Sequence, residues 1–303
     1  MAITPWILAP LLFSTKSKIS VTKTFWRFRI PRSDPTHYTA QHMSLVGKVE
    51  SLWRYPVKSM RGEELDEAFA GYPGVYGDRV FAFKSSASPT GFPYFTAREQ
   101  RTLLQYRPLF RFPDKAARPV NFTEADKMGA GPLSADISEL LVDIETPAGK
   151  TLPIDDPILI EMLRSETDEK HQLTLMRSHR AMTDCRPMSI FSVQSARQLS
   201  EETETPVDKR RFRANVYLDL ASDKGFAENE LVGQTLKIGP KVIVRVLERD
   251  ARCAMIALDP DTAERTPAVL KKVAQAHEGT AGVYGAVIVE GMLHKGDSVE
   301  LLD

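Results

Sequence analysis

The chain has 303 residues, of which 42% are hydrophobic and 26% are charged, and its 40 basic and 40 acidic residues balance to a net charge of zero. This length and apolar content predict two packed domains. The balanced charge argues against a nucleic-acid partner, because phosphate backbones select basic domains. With only Cys185 and Cys253 present, a disulfide framework is excluded and a reducing compartment is favoured. No apolar stretch reaches the roughly 18 residues that a membrane span needs.

The first 42 residues differ in composition from the rest of the chain. They contain six basic residues and no acidic residue before Asp34. A basic, acid-poor leader with Ser and Thr is typical of an organelle transit peptide. The alternative is a translation start placed too far upstream, because Met43 directly precedes the first strand-like run. Residues 1–43 are therefore predicted to be a leader, disordered, mis-called or cleaved. The location is predicted to be cytoplasmic, or mitochondrial if the leader is genuine.

Short β-type runs dominate the chain from Val46 onward. The pattern predicts strands at 46–54, 80–83, 140–145, 150–154, 172–177, 211–220, 236–238, 242–247, 285–290 and 298–302. It predicts helices at 157–163, 193–204 and 268–277, the first capped by Asp155 or Asp156. The segment 111–135 is predicted to be a surface excursion, and the charged stretch 164–170 a domain boundary. Many short strands with few helices favour barrels over a βαβ sheet.

Cys253 is the first candidate functional residue. It ends a β-type run, it is flanked by Arg249 and Arg252, and the turn-forming LDPDT (258–262) follows it. Nearby cations favour the thiolate, and binding groups gather near loops. If the strand continues through Cys253, however, Arg252 points to the opposite face. The alternative interpretation is a buried cysteine that packs as a small hydrophobic residue.

Residues 212–215 (FRAN) are a second candidate, placed within the predicted strand 211–220. Side chains two positions apart on a strand share a face, so Arg213 and Asn215 are predicted to project together. A guanidinium beside a carboxamide suits an anion with a heteroaromatic hydrogen-bonding edge. The alternative is an ordinary solvated strand face.

Residues 55–62 (YPVKSMRG) are a third candidate. Pro56 fixes the local backbone, and Lys58 and Ser59 then supply a cation and a hydroxyl. This is a phosphate cradle without the glycine pattern of a P-loop, and the alternative is a set of ordinary surface residues. The segments GDR (77–79) and TAR (96–98) add arginines in the same half, whereas the six histidines show no metal-ligand spacing.

Together these segments resemble the two-domain form of the MOSC (molybdenum cofactor sulfurase C-terminal) superfamily. This form is found in the mitochondrial amidoxime reducing component and its bacterial relatives. The resemblance runs from about Val46 to the C-terminus. Its segments, in the family's order, are YPVKSMRG (55–62), GDR (77–79), FTARE (95–99), SIFSVQS (189–195), FRAN (212–215), LVGQTLKIG (231–239), RC with LDPDT (252–262) and YGAVIVEGMLHKGDSVELL (284–302).

The resemblance implies a mainly β fold with some α (α+β). An N-terminal β-barrel-like domain (44–165) would pack on a MOSC β-barrel domain with peripheral helices (166–303). It implies a molybdenum cofactor (Mo-molybdopterin) between the domains, with Cys253 as catalytic residue and metal ligand. The residues that it implies for cofactor binding are Lys58, Ser59, Arg79, Ser192, Arg213, Asn215 and Arg252. A thiolate is a soft metal ligand, and several cations match a dianionic phosphate.

The chain departs from the family pattern at a few positions. Ala214 stands where the family often has proline, and Met60 stands where a small residue is common. The cysteine cluster of a C-terminal ferredoxin domain, present in some relatives, is missing. The electron donor is therefore predicted to be a separate ferredoxin-, cytochrome b5- or flavoprotein-like protein.

The favoured function is reduction of small N-hydroxylated or N-oxide compounds by oxygen-atom transfer at a Cys-ligated molybdenum. The first alternative is a carrier of molybdenum cofactor or sulfur, in which Cys253 holds a persulfide. The second is a structural or regulatory protein with an empty site, against which the intact set of Lys58, Arg213, Asn215 and Cys253 argues. Pyridoxal phosphate, suggested for parts of the superfamily, ranks low because no sequence context marks a Schiff-base lysine.

Overall fold

The structure is a computed structural model that describes residues 44–89, 91–133, 136–167 and 170–302. The predicted leader, residues 1–43, lies outside the described residues. Within the described ranges, no helix is long and apolar enough to cross a membrane.

The strands are short and follow one another along the whole described chain. They are β1 (Ser44–Arg54), β2 (Glu63–Leu65), β3 (Glu67–Gly71), β4 (Gly74–Val75), β5 (Phe81–Ser85), β6 (Tyr94–Phe95), β7 (Arg107–Phe110), β8 (Val142–Glu145), β9 (Thr151–Pro153), β10 (Leu173–Arg177), β11 (Met188–Ser192), β12 (Val216–Leu220), β13 (Thr235–Ile238), β14 (Val242–Ala251), β15 (Thr280–Val289), β16 (Gly291–His294) and β17 (Ser298–Leu302).

The helices are fewer and lie between the strands. The α-helices are α1 (Pro113–Ala117), α2 (Phe122–Met128), α3 (Pro157–Ser165), α4 (Val193–Thr203) and α5 (Pro267–Ala276). The 3₁₀ turns are Arg101–Gln105, Ile137–Leu140, Lys209–Phe212, Ala227–Leu231 and Ala254–Ala257. The Asp156 carboxylate accepts a hydrogen bond from the Ile158 N–H and caps α3. Of the two predicted caps, Asp155 and Asp156, the structure uses Asp156.

A closed barrel forms the centre of the fold. Its strand order is β12-β11-β15-β14-β13-β17-β1, and β1 pairs again with β12, which closes seven strands into a barrel; β2 extends from β1. Within it β11 and β12 are parallel and the other neighbours antiparallel. Burial alternates along β14, where Val242, Val244 and Val246 are fully buried and the residues between them are not. This period of two directs β-branched side chains into the barrel interior.

A second core lies among the smaller sheets. β5 pairs with β6 and β10, and β8 pairs with β7 and β9. Phe81, Phe83, Tyr106 and Ile144 are buried there. The prediction of a mainly β fold, with barrel architecture and peripheral helices, is confirmed.

Strand pairing joins the parts of the chain on either side of the predicted boundary between 165 and 166. β5 pairs with β10, β3 with β16, and β1 with both β12 and β17. The division into 44–165 and 166–303 stays a prediction.

One local prediction is wrong. The segment 211–220 is not one strand: a 3₁₀ turn, Lys209–Phe212, comes first, Arg213 has a left-handed φ of 51°, and β12 begins only at Val216. A strand cannot pass through a left-handed residue, so the face-sharing argument for Arg213 and Asn215 fails. The segment 111–135 is mostly exposed over its described residues, as a surface excursion should be, and it holds the short helices α1 and α2.

Candidate functional site

A pocket that is open to solvent lies where loops at the ends of β1, β12 and β14 meet. Segments from both halves of the described chain line it. All the residues predicted for the site line it except Ser192. The full lining is Lys58, Ser59, Arg79, Thr96, Arg98, Thr183, Asp184, Arg186, Ser189, Arg211, Phe212, Arg213, Asn215, Asp250, Ala251, Arg252, Cys253, Met255, Ile256 and Tyr284.

Ser192 lies elsewhere, at the start of α4. It is completely buried, and its hydroxyl donates to Glu228 Oε2 at 2.7 Å and contacts Ser195 Oγ at 2.9 Å. It also accepts from the Ser195 N–H, which caps α4. Because these contacts occupy the hydroxyl, its surroundings give no support to the predicted cofactor contact.

Left-handed backbone recurs in the pocket wall. Ser59, Arg79 and Arg213 have φ values of 65°, 46° and 51°. Non-glycine residues in this region cost roughly 1–2 kcal/mol each. Such strain persists where the surrounding structure imposes it, and it gathers at functional sites. The sequence pattern at these positions gave no sign of it, since none is glycine or asparagine.

Lys58 lies at the pocket wall and is 5% exposed. Its Nζ donates to the Met182 carbonyl at 2.8 Å and forms a short ion pair with Asp184. It also lies 4.5 Å from the centre of the Tyr94 ring. Burial lowers the pKa of Lys58, although the carboxylate of Asp184 acts in the opposite direction. An ammonium has three N–H donors, so one remains for a ligand.

Arg79 and Arg213 form a pair of neighbouring cations at the site. Arg79 pairs with the fully buried carboxylate of Asp78 and donates to the Arg213 carbonyl at 2.9 Å. Both guanidinium groups approach the face of the Tyr55 ring, with Cζ at 4.7 Å and 4.2 Å from the ring centre. Burial lowers the pKa of Arg213 to about 10, and the neighbouring Arg79 charge adds to this. Arg213 therefore remains cationic at neutral pH.

Asn215 is brought beside Arg213, as predicted, but by the turn at 213–215 and not by strand alternation. It is 1% exposed. Its Oδ1 accepts from the Ser189 N–H at 3.2 Å, and its Nδ2 donates to the Trp53 carbonyl at 3.3 Å. The carboxamide thus ties β1 to β11, with one N–H and one lone pair left over.

Arg252 follows the last residue of β14 and lines the pocket together with Cys253. Its Nε donates to the Ala281 carbonyl at 2.6 Å and its Nη1 to the Phe212 carbonyl at 2.8 Å. Its Nη2 lies 2.7 Å from Asp250, whose carboxylate also accepts from Ser189 at 2.9 Å. Burial raises the pKa of Asp250, whereas the Arg252 charge acts to lower it. Arg252 therefore fixes the backbone around the site more than it offers donors to a ligand.

Cys253 comes after the end of β14 and immediately before the 3₁₀ turn Ala254–Ala257. It is half-buried, whereas Cys185 is exposed. Arg249, which the sequence placed near the thiol, turns away and pairs with Glu278 at 3.2 Å. The predicted turn at LDPDT is present, because Asp259 accepts from the N–H groups of Asp261 and Thr262 at 3.0 and 2.9 Å.

The comparisons with known proteins agree with this architecture. The MOSC domain matches residues 177–300, and the MOSC N-terminal beta barrel domain matches residues 46–108. The chain belongs to the MOSC family. No curated protein matches this MOSC chain.

Several solved structures are similar to this MOSC chain at low identity. The YUAD protein from Bacillus subtilis is 14% identical, with a TM-score of 0.42, over 86% of this chain and 97% of that one. YiiM from Geobacillus stearothermophilus is 20% identical, with a TM-score of 0.31, over 39% of this chain and 55% of that one. YiiM from Escherichia coli is 18% identical, with a TM-score of 0.28 and the same two coverages.

Two of the cations that line the MOSC pocket have no carboxylate partner among the described residues. The lining cations that have a carboxylate within ion-pair distance, named with that partner, are Lys58 with Asp184, Arg79 with Asp78, Arg186 with Glu248, Arg211 with Asp259 and Arg252 with Asp250. Among the described residues, Arg98 and Arg213 line the pocket without such a partner. A dianionic ligand would balance them.

Some buried nitrogen atoms of the pocket arginines lack hydrogen-bond partners within the described structure. They are Nη2 of Arg213, both Nε and Nη1 of Arg211, and Nη2 of Arg252, which lies within ion-pair distance of Asp250. Buried donors without a partner are costly, so an acceptor supplied by a ligand is the expected complement.

The described residues hold no cluster of three or more His, Cys, Asp or Glu side chains suited to a metal. A metal here would take Cys253 as its protein ligand and the rest of its shell from a cofactor.

The molybdenum cofactor that the MOSC family commonly binds therefore fits the residues present: a thiolate for the metal, and unpartnered cationic donors for a phosphate.

Sequence reasoning missed Asp184 and Asp250, and it gave Arg211 and Tyr284 no role. Asp250 could have been found, because it precedes Arg252 by two positions at the end of a strand. Asp184 could not, since only the fold brings its loop to Lys58.

Proposed function

We propose that this MOSC protein binds a molybdenum cofactor in the pocket and reduces small N-hydroxylated or N-oxide compounds. The observation that carries the proposal is the half-buried thiol of Cys253 in the same pocket as the Arg213 guanidinium, for which the described residues supply no carboxylate within ion-pair distance. One group is a soft metal ligand and the other an anion donor, and the cofactor needs both.

The residues of the chain would divide the work of holding that cofactor. Cys253 would be the molybdenum ligand, and the Arg213 guanidinium, which lines the same pocket, would donate to the phosphate. Lys58 has one N–H left after Met182 and Asp184, and Ser59 stands next to it at the pocket wall. Arg79, Asn215 and Arg252 are engaged mainly with backbone and carboxylates, so they would orient the other groups.

When bound, the cofactor would supply two-electron redox and oxygen-atom-transfer chemistry. The protein would bind and orient the reactants. The electrons would come from a separate ferredoxin-, cytochrome b5- or flavoprotein-like donor. Fold alone does not fix the reaction, so the substrate class rests on the resemblance to reductases of the family.

The proposal is tested by expressing the full chain in a host that makes the cofactor and measuring its molybdenum and pterin content. Turnover of an N-hydroxylated compound with a chemical reductant is measured on the same sample. We expect both metal and turnover. Well-folded protein without molybdenum and without turnover would refute the proposal.

The carrier alternative has a distinct signature in the same experiment. Mass spectrometry would find an added sulfur on Cys253, and turnover would be missing with every reductant. Cys185 serves as the internal control, because its exposed thiol lies 3.4 Å from Glu248, outside the pocket lining.

A further inference from the structure

Tyr55 lies behind the pocket lining and contacts two of its cations. The ring is 2% exposed. The Arg79 and Arg213 guanidinium carbons lie over it at 4.7 and 4.2 Å from the centre. Two guanidinium groups that approach the same ring repel each other, so nearby negative charge or electron density is needed to offset that repulsion.

The two arginines are compensated differently. Arg79 has the buried carboxylate of Asp78. Arg213 has no carboxylate within ion-pair distance in the described part of the chain, and the Tyr55 ring is its electron-rich neighbour. The face of an aromatic ring carries negative quadrupole density and attracts a cation by about 0.5 to 2 kcal/mol, most strongly when both are desolvated.

A ring and a carboxylate differ in which atoms of the guanidinium they use. A carboxylate binds the N–H groups in the guanidinium plane, as bidentate pairs do. A ring contacts the guanidinium from above and leaves those N–H groups free. The buried Nη2 of Arg213, which has no partner, is consistent with the second arrangement. Tyr55 thus offsets charge without consuming hydrogen-bond donors.

The hydroxyl of Tyr55 makes a weaker contact in the same region. It donates to the Ala214 carbonyl at 3.4 Å, a long distance for an O–H donor. The Ala214 N–H is held separately by the Tyr217 hydroxyl at 3.2 Å, and Tyr217 in turn donates to the Lys209 carbonyl at 3.1 Å. The backbone after Arg213 is therefore held by the Tyr217 hydroxyl as well as by the long Tyr55 contact, and the Tyr217 and Tyr55 hydroxyls also interact with each other. The Tyr55 ring, in contrast, contacts the Arg213 guanidinium directly.

We propose that Tyr55 is a positioning residue, whose ring holds the Arg213 guanidinium in place with its N–H groups free to bind the phosphate of a ligand. The identity of that ligand rests on the proposed function. The binding of phosphate itself does not.

The test uses the full chain, made in a host that produces no molybdopterin, with inorganic pyrophosphate as the probe in isothermal titration calorimetry. Tyr55→Phe keeps the ring and is expected to bind within about threefold of the wild type. Tyr55→Leu removes the ring and is expected to bind about tenfold more weakly, the equivalent of one cation–π contact. Tyr106→Leu, which removes another buried tyrosine outside the pocket lining, is expected to leave the affinity unchanged.

A double-mutant cycle separates positioning from general loosening of the fold. In an Arg213→Met background, Tyr55→Leu is expected to change pyrophosphate affinity less than twofold, because the group that the ring positions is gone. An undiminished tenfold effect in that background would overturn the proposal. Equal weakening by Tyr55→Phe and Tyr55→Leu, unchanged binding by Tyr55→Leu, or no pyrophosphate binding by the wild type would overturn it too.

Tyr55→Leu creates a cavity, so a second variant guards against failure to fold. A ring-fluorinated phenylalanine at position 55 keeps the ring shape and withdraws electron density from its face. It is expected to weaken pyrophosphate binding relative to Tyr55→Phe, and equal affinity would contradict the inference. A chain that shows these effects but never contains molybdenum would refute the proposed function and leave this inference standing.

Discussion

The buried ion pair between Asp78 and Arg79 gives a prediction whose size follows from the structure. The side chain of Asp78 is 0% exposed and that of Arg79 is 11% exposed. Asp78 also accepts from the Tyr55 N–H at 2.8 Å. Asp78→Asn keeps the shape and that acceptor, but it leaves Arg79 buried without a counter-charge, beside Arg213. Removing one partner of a buried pair costs about 3–5 kcal/mol. We expect the lower end, about 3 kcal/mol, because Arg79 keeps the Tyr55 ring and the Arg213 carbonyl.

The assay is urea unfolding of the full chain at pH 7, followed by fluorescence and circular dichroism. Glu230→Gln is the control, because the Lys224–Glu230 pair has both side chains 71% exposed and should leave the unfolding midpoint unchanged. Pyrophosphate should reduce the loss in Asp78→Asn, since an anion in the pocket supplies the missing negative charge. A loss below about 1 kcal/mol without pyrophosphate would refute the reasoning that this pair is a buried and necessary one.

Other predictions follow from backbone strain and from titration. Ser59→Gly relieves a φ of 65° and should raise the free energy of unfolding by up to about 1 kcal/mol, while it weakens pyrophosphate binding in calorimetry. Gly279 has a φ of 71° and open space around it, so Gly279→Ala should lower the free energy of unfolding in urea by about 1 kcal/mol. Gly282→Ala should lower it by roughly 1–3 kcal/mol more, because the added Cβ would lie 2.7 Å from the Ile190 carbonyl. Equal losses of stability in the two variants would contradict this. Burial acts to raise the pKa of Asp184, but the ion pair with Lys58 prevails and holds it below its ordinary value. Asp184 therefore contributes stability above about pH 3.9 and loses it as the pH falls through the folded pKa. The difference in unfolding midpoint between the wild type and Asp184→Asn should shrink below that pH, and a constant difference would contradict the assignment.

Much of the fold was predictable because strand periodicity is a local property. β1, β10 and β17 lie where the alternation of side chains placed them, and α3 begins at a predicted cap. The closure of the barrel by β1 and β12 was not predictable in detail, because pairing between residues about 170 positions apart leaves no local trace.

The site shows the same division between local and long-range information. Cys253 and Arg213 were found from their segments, and the pocket does contain both. The left-handed turn at Arg213 was missed, because arginine is not a residue that favours it. The Tyr55 stack and the Lys58–Asp184 pair join residues that only the tertiary fold brings together. Ser192 belongs to a matching motif but lies buried outside the pocket lining, so its predicted cofactor contact stays a prediction.

The most direct test of the central claim is the molybdenum content of the purified full chain, compared among the wild type, Cys253→Ala and Cys185→Ala. Plasma emission spectroscopy gives the metal, and circular dichroism confirms that each variant is folded. We expect stoichiometric molybdenum in the wild type and in Cys185→Ala, and loss of the metal in folded Cys253→Ala. Full retention of molybdenum by Cys253→Ala would contradict the assignment of its thiolate as the metal ligand.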